Sequence, residues 1–192
     1  MFKGTSASAG IGIGKAVIVE EAELVITRNE VADAEAEIQR FKGALEKTIA
    51  ATQKMADDLA SRVGEKEAEI MQGHMMLLSD PMLTGEIESS IRNDKVNSEF
   101  AIENVCNMYA DMFASMGDEL MQQRATDMRD IKVRMQRTLM GLESVDVSLL
   151  PKGSILVAKD LTPSMTAGIN PENVSGIVTE LGGKTSHSAI LA

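Results

Sequence analysis

Between Val31 and Val63 the positions Ile38, Phe41, Leu45, Thr48, Thr52, Met55 and Leu59 recur every three or four residues, the spacing that turns one face of an α-helix toward a core. A helix over that span is about 45 Å long, the length of an arm in a helical hairpin, and Gly64 marks its end. A second helical pattern, "EAEIMQGHMMLL", covers 67–78. The tripeptide "SDP" then stops and restarts the chain, with Ser79 or Asp80 as N-cap and Pro81 at the first helical position. Three more helices are predicted near 81–93, 98–115 and 118–141, the last with Met121, Met128, Ile131, Met135 and Leu139 on one face.

The two ends of the chain have a different texture. The first twenty residues mix small and β-branched positions around Gly4, Gly10, Gly12 and Gly14, with "KAVIVE" as the clearest strand. After Gly141 the helical period is lost, and the chain reads as strand, short helix, turn, strand, glycine loop, helix. Thr162 and Pro163 form the cap and first position of the short helix, and Gly168 its end. The economical arrangement is an α/β domain built from residues 1–20 and 146–192, with an all-α helical-hairpin or bundle domain, residues 21–145, inserted in it.

Composition sharpens this picture in three ways. Fourteen methionines stand beside no tryptophan, one tyrosine and four phenylalanines, so the core is aliphatic and adaptable. The single Cys106 excludes an internal disulfide framework and a cysteine-based zinc site. No apolar segment reaches the roughly 18 residues that span a bilayer, and glycines interrupt the N-terminus where a signal peptide would be apolar; a cytoplasmic protein without a membrane segment is expected. The net charge of −10 argues against a nucleic-acid surface. Residues 1–20 and 148–192 hold five lysines against four carboxylates, which leaves −11 for residues 21–147. The acidity belongs to the helical block, and an acidic block attracts a partner with a basic face.

The candidate chemistry lies in "GGKTSHSAILA" at 182–192. Gly182 and Gly183 allow a sharp turn that exposes backbone N–H groups, and Thr185 or Ser186 can cap the helix begun by the apolar run. Ser186 and Ser188 add hydroxyls near the positive end of that helix. His187 falls in the first turn, where the helix dipole favours the neutral, nucleophilic imidazole. A neutral nucleophile among anion donors suits phosphoryl transfer to nitrogen. The same residues also suit a capped helix whose histidine only bonds nearby backbone. Metal binding is disfavoured, because His74 is the only other histidine and falls in the other domain.

"GGKTSHSAILA" resembles the phosphohistidine signature of the phosphoenolpyruvate-utilising enzymes. The opening "GTSASAGIGIGKA", the junction "GHMMLLSDPML", "RATDMRDIKVRM" and "LVAKDLTPSMT" resemble, in order and spacing, the Enzyme I family of the bacterial sugar phosphotransferase system. That resemblance implies that the α/β part is a phosphohistidine domain. His187 would take a phosphoryl group from phosphoenolpyruvate on Nε2 and pass it to a histidine of the small phosphocarrier protein HPr. The helical insert would be the HPr-docking domain. Thr166 would orient the resting imidazole, and Lys184 stands where the signature often carries arginine. Glu65 and Met76 match partner-contacting positions, with Arg124 a charged neighbour. Family members continue past this point into a domain that binds phosphoenolpyruvate and Mg2+ and makes the homodimer. The chain therefore reads as an N-terminal, monomeric fragment with an incomplete α/β domain and no cofactor of its own.

His74 either lines the docking surface or packs between helices beside Met71, Met75 and Leu78. Asp127, Asp130 and Arg134 have the spacing of intrahelical ion pairs, with domain positioning as the alternative. "GIGIG" falls short of a dinucleotide-binding pattern and is read as strand-end turns. Two other functions remain open. One is the swivelling phosphohistidine domain of a pyruvate phosphate dikinase or phosphoenolpyruvate synthase, although residues 1–181 have no room for the nucleotide-binding domain it requires. The other is a non-catalytic helical docking module.

Overall fold

The computed structural model describes residues 4–181. The chain divides into two compact units, one formed by the described parts of Met1–Ala22 and Val145–Ala192, the other by Glu23–Ser144.

The second unit is all helical: α1 (Ala34–Arg62), α2 (Glu65–Leu78), α3 (Pro81–Asp94), α4 (Ser98–Ser115) and α5 (Glu119–Met140). Local chemistry sets the boundaries. Asp33, Asp80 and Asp118 each accept a hydrogen bond from a backbone N–H of the helix that follows, at 3.0, 2.8 and 2.8 Å, satisfying donors that the first turn leaves unpaired. Asp80, not Ser79, is thus the cap of α3, with Pro81 in its first turn. Gly64 breaks the chain between α1 and α2 at φ 141°, and Gly141 closes α5 in the left-handed region at φ 66°.

The buried stripe of α1 is Ile38, Phe41, Ala44, Thr48, Thr52, Ala56 and Leu59. Ala44 and Ala56 occupy the centre in place of their neighbours Leu45 and Met55, which are half-buried; small side chains let the neighbouring helices approach. Leu83, Ile87 and Ile91 of α3, Ile102 and Cys106 of α4, and Met128, Ile131 and Met135 of α5 complete an almost wholly aliphatic core, in which Phe41 is the one fully buried aromatic among the described residues.

The other unit is a three-stranded parallel sheet in the order β1 (Lys15–Val19), β2 (Ser154–Ala158), β3 (Val174–Thr179). β1 and β2 pair from Lys15 opposite Ser154 to Val19 opposite Ala158. A single 3-10 turn (Val147–Leu149) precedes β2, and the short helix α6 (Pro163–Gly168) links β2 to β3. Val19, Val147, Leu150, Leu156, Ala158, Leu161 and Ile169 form its core. Gly12 and Gly14 are dictated by space: a Cβ on Gly12 would overlap the carbonyl oxygen of Ser175, and one on Gly14 that of Gly153. The glycines of "GIGIG" thus let the backbone run against β3 and the turn before β2.

Candidate functional site

In the α/β unit, β2 leads through Asp160 and Leu161 to Thr162, whose Oγ1 accepts from the N–H of Met165 at 3.3 Å and caps α6. Thr166, one turn further, is buried, and its hydroxyl donates to the carbonyl of Thr162 at 2.9 Å. A hydroxyl has one proton, so while that bond holds Thr166 can offer a second group only an acceptor oxygen. β3 runs alongside: the N–H groups of Glu180 and Leu181 donate to the carbonyls of Ala158 and Lys159 at 3.2 and 2.8 Å. The chain therefore enters the "GGKTSHS" stretch at the carboxyl ends of β2 and β3, the same end at which α6 begins. Open parallel sheets bind their ligands at this edge. Gly182, Gly183, Lys184, Thr185, Ser186, His187 and Ser188 themselves lie outside the described residues.

In the helical unit, Glu65 is exposed in the first turn of α2 and Met76 is 70% exposed near its end. Gly73 stands one turn before Met76 on the same face. The half-buried Arg124 of α5 reaches across to it, Nη1 lying 3.1 Å from where a Cβ on Gly73 would be. Arg124 and the exposed Leu120 are four residues apart on α5 and so share a face. Glu65, Met76 and Arg124 thus contribute to the exterior of the α2–α5 pair.

His74 does not. Its side chain is fully buried, so it cannot touch a partner directly, and as a docking contact it is corrected to a packing residue. The imidazole Nε2 lies 3.2 Å from Asp127 Oδ1. A carboxylate oxygen accepts, which places the ring proton on Nε2. The nearest oxygen of Asp130 is 3.9 Å from Nδ1, beyond hydrogen-bond range, and Nδ1 has no hydrogen-bond partner among the described residues.

The sequence disguised this region. Asp127, Asp130 and Arg134, spaced as if for ion pairs along one helix, are all buried. Asp127 bonds across to α2, and Arg134 Nη2 donates to Thr52 Oγ1 of α1 at 2.7 Å. Burial pulls the Arg134 pKa below its usual value, with the charge of Asp130 opposing. The signal that was available is the threonine pair on the otherwise apolar stripe of α1: Thr48 and Thr52 both face inward, and a buried hydroxyl calls for a polar partner. The described residues contain no cluster of three His, Cys, Asp or Glu side chains placed to hold a metal, and no helix among them is long and apolar enough to cross a membrane.

The described structure thus holds a parallel-sheet edge that leads toward a glycine–hydroxyl–histidine segment and, in a separate unit, a bundle of five helices. The profile of the N-terminal domain of PEP-utilising enzymes matches residues 3–124, and that of their mobile domain matches residues 150–192. The chain belongs to the PEP-utilising enzymes. It is 41% identical over 191 residues to a phosphoenolpyruvate-protein phosphotransferase of Bacillus subtilis, covering 100% of this chain and 34% of the relative. It is 42% identical to that of Listeria monocytogenes, covering 100% and 33%. The chain spans about a third of the length of these curated relatives. Its fold matches the NMR solution structure of an Enzyme I protein with a TM-score of 0.87 and 37% identity, over 100% of this chain and 78% of that one. The N-terminal domain of an Enzyme 1 (Nitrogen) matches with a TM-score of 0.67 and 25% identity, over 96% and 76%. The expected architecture, a helical bundle joined to an α/β part, is the one observed. These relatives disfavour the dikinase-like reading.

Proposed function

We propose that this chain is the group-carrying and partner-docking part of a phosphoenolpyruvate-protein phosphotransferase, with His187 as the carrier. The observation that carries the reading is the likeness along the whole chain, which includes a mobile-domain match spanning the "GGKTSHSAILA" segment. The P–O bond of phosphoenolpyruvate breaks as His187 Nε2 forms a P–N bond, and the released enolate takes up a proton to give pyruvate. A histidine nitrogen of HPr then displaces His187 from the phosphorus. Transfer between two nitrogens of similar basicity is readily reversible, which suits a carrier.

The residues take their roles from this chemistry. Gly182, Gly183, Thr185, Ser186 and Ser188 supply N–H and O–H donors to the phosphoryl oxygens. Thr166, which offers an acceptor oxygen, holds the N–H side of the resting imidazole so that the other nitrogen faces the phosphorus. Residues 1–20 and 146–192 serve as the phosphohistidine domain. Residues 21–145 dock HPr through Glu65, Met76 and Arg124, the acidity of this block matching a basic partner. Phosphoenolpyruvate, Mg2+ and dimerisation belong to the part of the relatives this chain does not cover, and the protein works in the cytoplasm.

Incubation with 32P-labelled phospho-HPr is expected to label this chain and not its His187→Ala variant. Label on the variant, or none on the natural chain, would overturn the assignment of His187.

A further inference from the structure

Gly73 lies in the interior of α2, where glycine is among the poorest helix formers. Its backbone gives no reason for it, since Gly73 is not among the glycines with positive φ. Nor does close packing of helix backbones. A Cβ placed there would meet the guanidinium of Arg124 alone, Nη1 at 3.1 Å and Cζ at 3.9 Å. Within the five-helix unit the contrast is informative: Gly43 of α1 and Gly85 of α3 have nothing within 4 Å, whereas the missing side chain of Gly73 makes a seat, and what it seats is an arginine from α5.

The surroundings say what such a seat is for. Met76, three residues on, and Leu120, one turn before Arg124, are 70% and 56% exposed. The guanidinium thus lies over α2, on the helix pair that carries these exposed apolar side chains, as a cation in a strongly acidic unit. A planar fork pre-positioned on a rigid helix loses little freedom on binding and sets direction as well as attraction. We propose that Gly73 is a positioning residue of the docking surface: by leaving α2 bare, it holds Arg124 against the helix at the height and orientation in which the guanidinium meets an acceptor oxygen of HPr and fixes the partner's register. This rests on the docking role assigned above to the α2–α5 surface.

Calorimetric titration of HPr into the full chain, alongside thermal unfolding of each variant, tests it. Gly73→Leu fills the seat and is expected to weaken HPr binding on the order of tenfold, the scale of one charge-assisted hydrogen bond. Arg124→Ala should produce the same loss, and the double variant no more than either alone. Gly73→Ala, which requires the guanidinium to shift only slightly, should weaken binding in the same direction and by less. Melting temperatures should be maintained or raised, because both replacements favour helix. Binding by Gly73→Leu within twofold of the natural chain overturns the inference and leaves the docking reading intact. A loss that adds fully to that of Arg124→Ala also overturns it, since it would mean that the leucine obstructs the partner directly. Absence of HPr binding by the natural chain overturns the docking reading, and this inference with it.

Discussion

The buried guanidinium of Arg134 offers a stringent test of how the helical unit is held together. Arg134 is 9% exposed, and its Nη2 donates to Thr52 Oγ1 at 2.7 Å, while Nη1 has no hydrogen-bond partner among the described residues. Thr52→Val keeps the shape and removes the acceptor. At a site without a hydrogen bond, exchanging a buried hydroxyl for a methyl is neutral or stabilising; here it strips a buried cation of a partner, worth about 1.5–3 kcal/mol. The two cases differ in sign. Arginine stays protonated at any ordinary pH, so the cost cannot be relieved by losing the proton. For a unit of this size the melting midpoint should fall by roughly 5–15 °C. Urea unfolding followed by circular dichroism at 222 nm gives the free energy directly, and the slope should not change. In an Arg134→Met background the same Thr52→Val change should cost almost nothing. Stability of Thr52→Val within about 0.5 kcal/mol of the natural chain, the scatter of a neutral surface change, would refute the reasoning.

Gly14→Ala should destabilise the α/β unit by about 1–3 kcal/mol or more, because the obstacle is the fixed carbonyl of Gly153; loss of near-ultraviolet signal or early proteolysis within that unit would reveal it. Cys106 is buried, and burial pushes its thiol up to about 12, so iodoacetamide at pH 8 should leave it unmodified until the helical unit is unfolded, as mass spectrometry would record. Burial opposes ionisation of Glu103, but hydrogen bonds from Gln136, Lys132 and Asn107 outweigh it and hold the carboxyl below the ordinary 4.5. A depressed carboxylate contributes stability above its unfolded pKa and loses it as pH falls through the folded one. The helical unit should therefore keep its stability above about pH 5 and weaken below about 4.5, with a shallower decline in Glu103→Gln; an unchanged acid profile in that variant would refute the contribution.

What could be read from the sequence follows from the range of the interactions involved. Helix starts at Pro81 and Pro163 and the stop at Gly141 were legible, since caps and special φ values are decided within four residues. The expected span 98–115 coincides with α4. The substitution of Ala44 and Ala56 for Leu45 and Met55 at the centre of the stripe was not legible, because which of two adjacent positions points inward depends on how closely the neighbouring helices approach. His74 and Asp127 are 53 residues apart, and no local pattern pairs them. The charged positions of α5 were legible in part: Asp130 does act on Arg134 along the same helix, but the bonds from Asp127 to α2 and from Arg134 to α1 were not. The short turn Val147–Leu149 escaped because three residues leave no periodicity.

The pairing of Lys15–Val19 with Ser154–Ala158 also dictates an order of assembly. As the chain leaves the ribosome, the first strand is made long before the neighbour it needs, and everything in between is a bundle able to close largely on its own nearby contacts. Distant parallel pairing is slow to form, and domains emerging from synthesis tend to fold as units. The bundle therefore matures while the amino-terminal strand waits unpaired, and the sheet closes last.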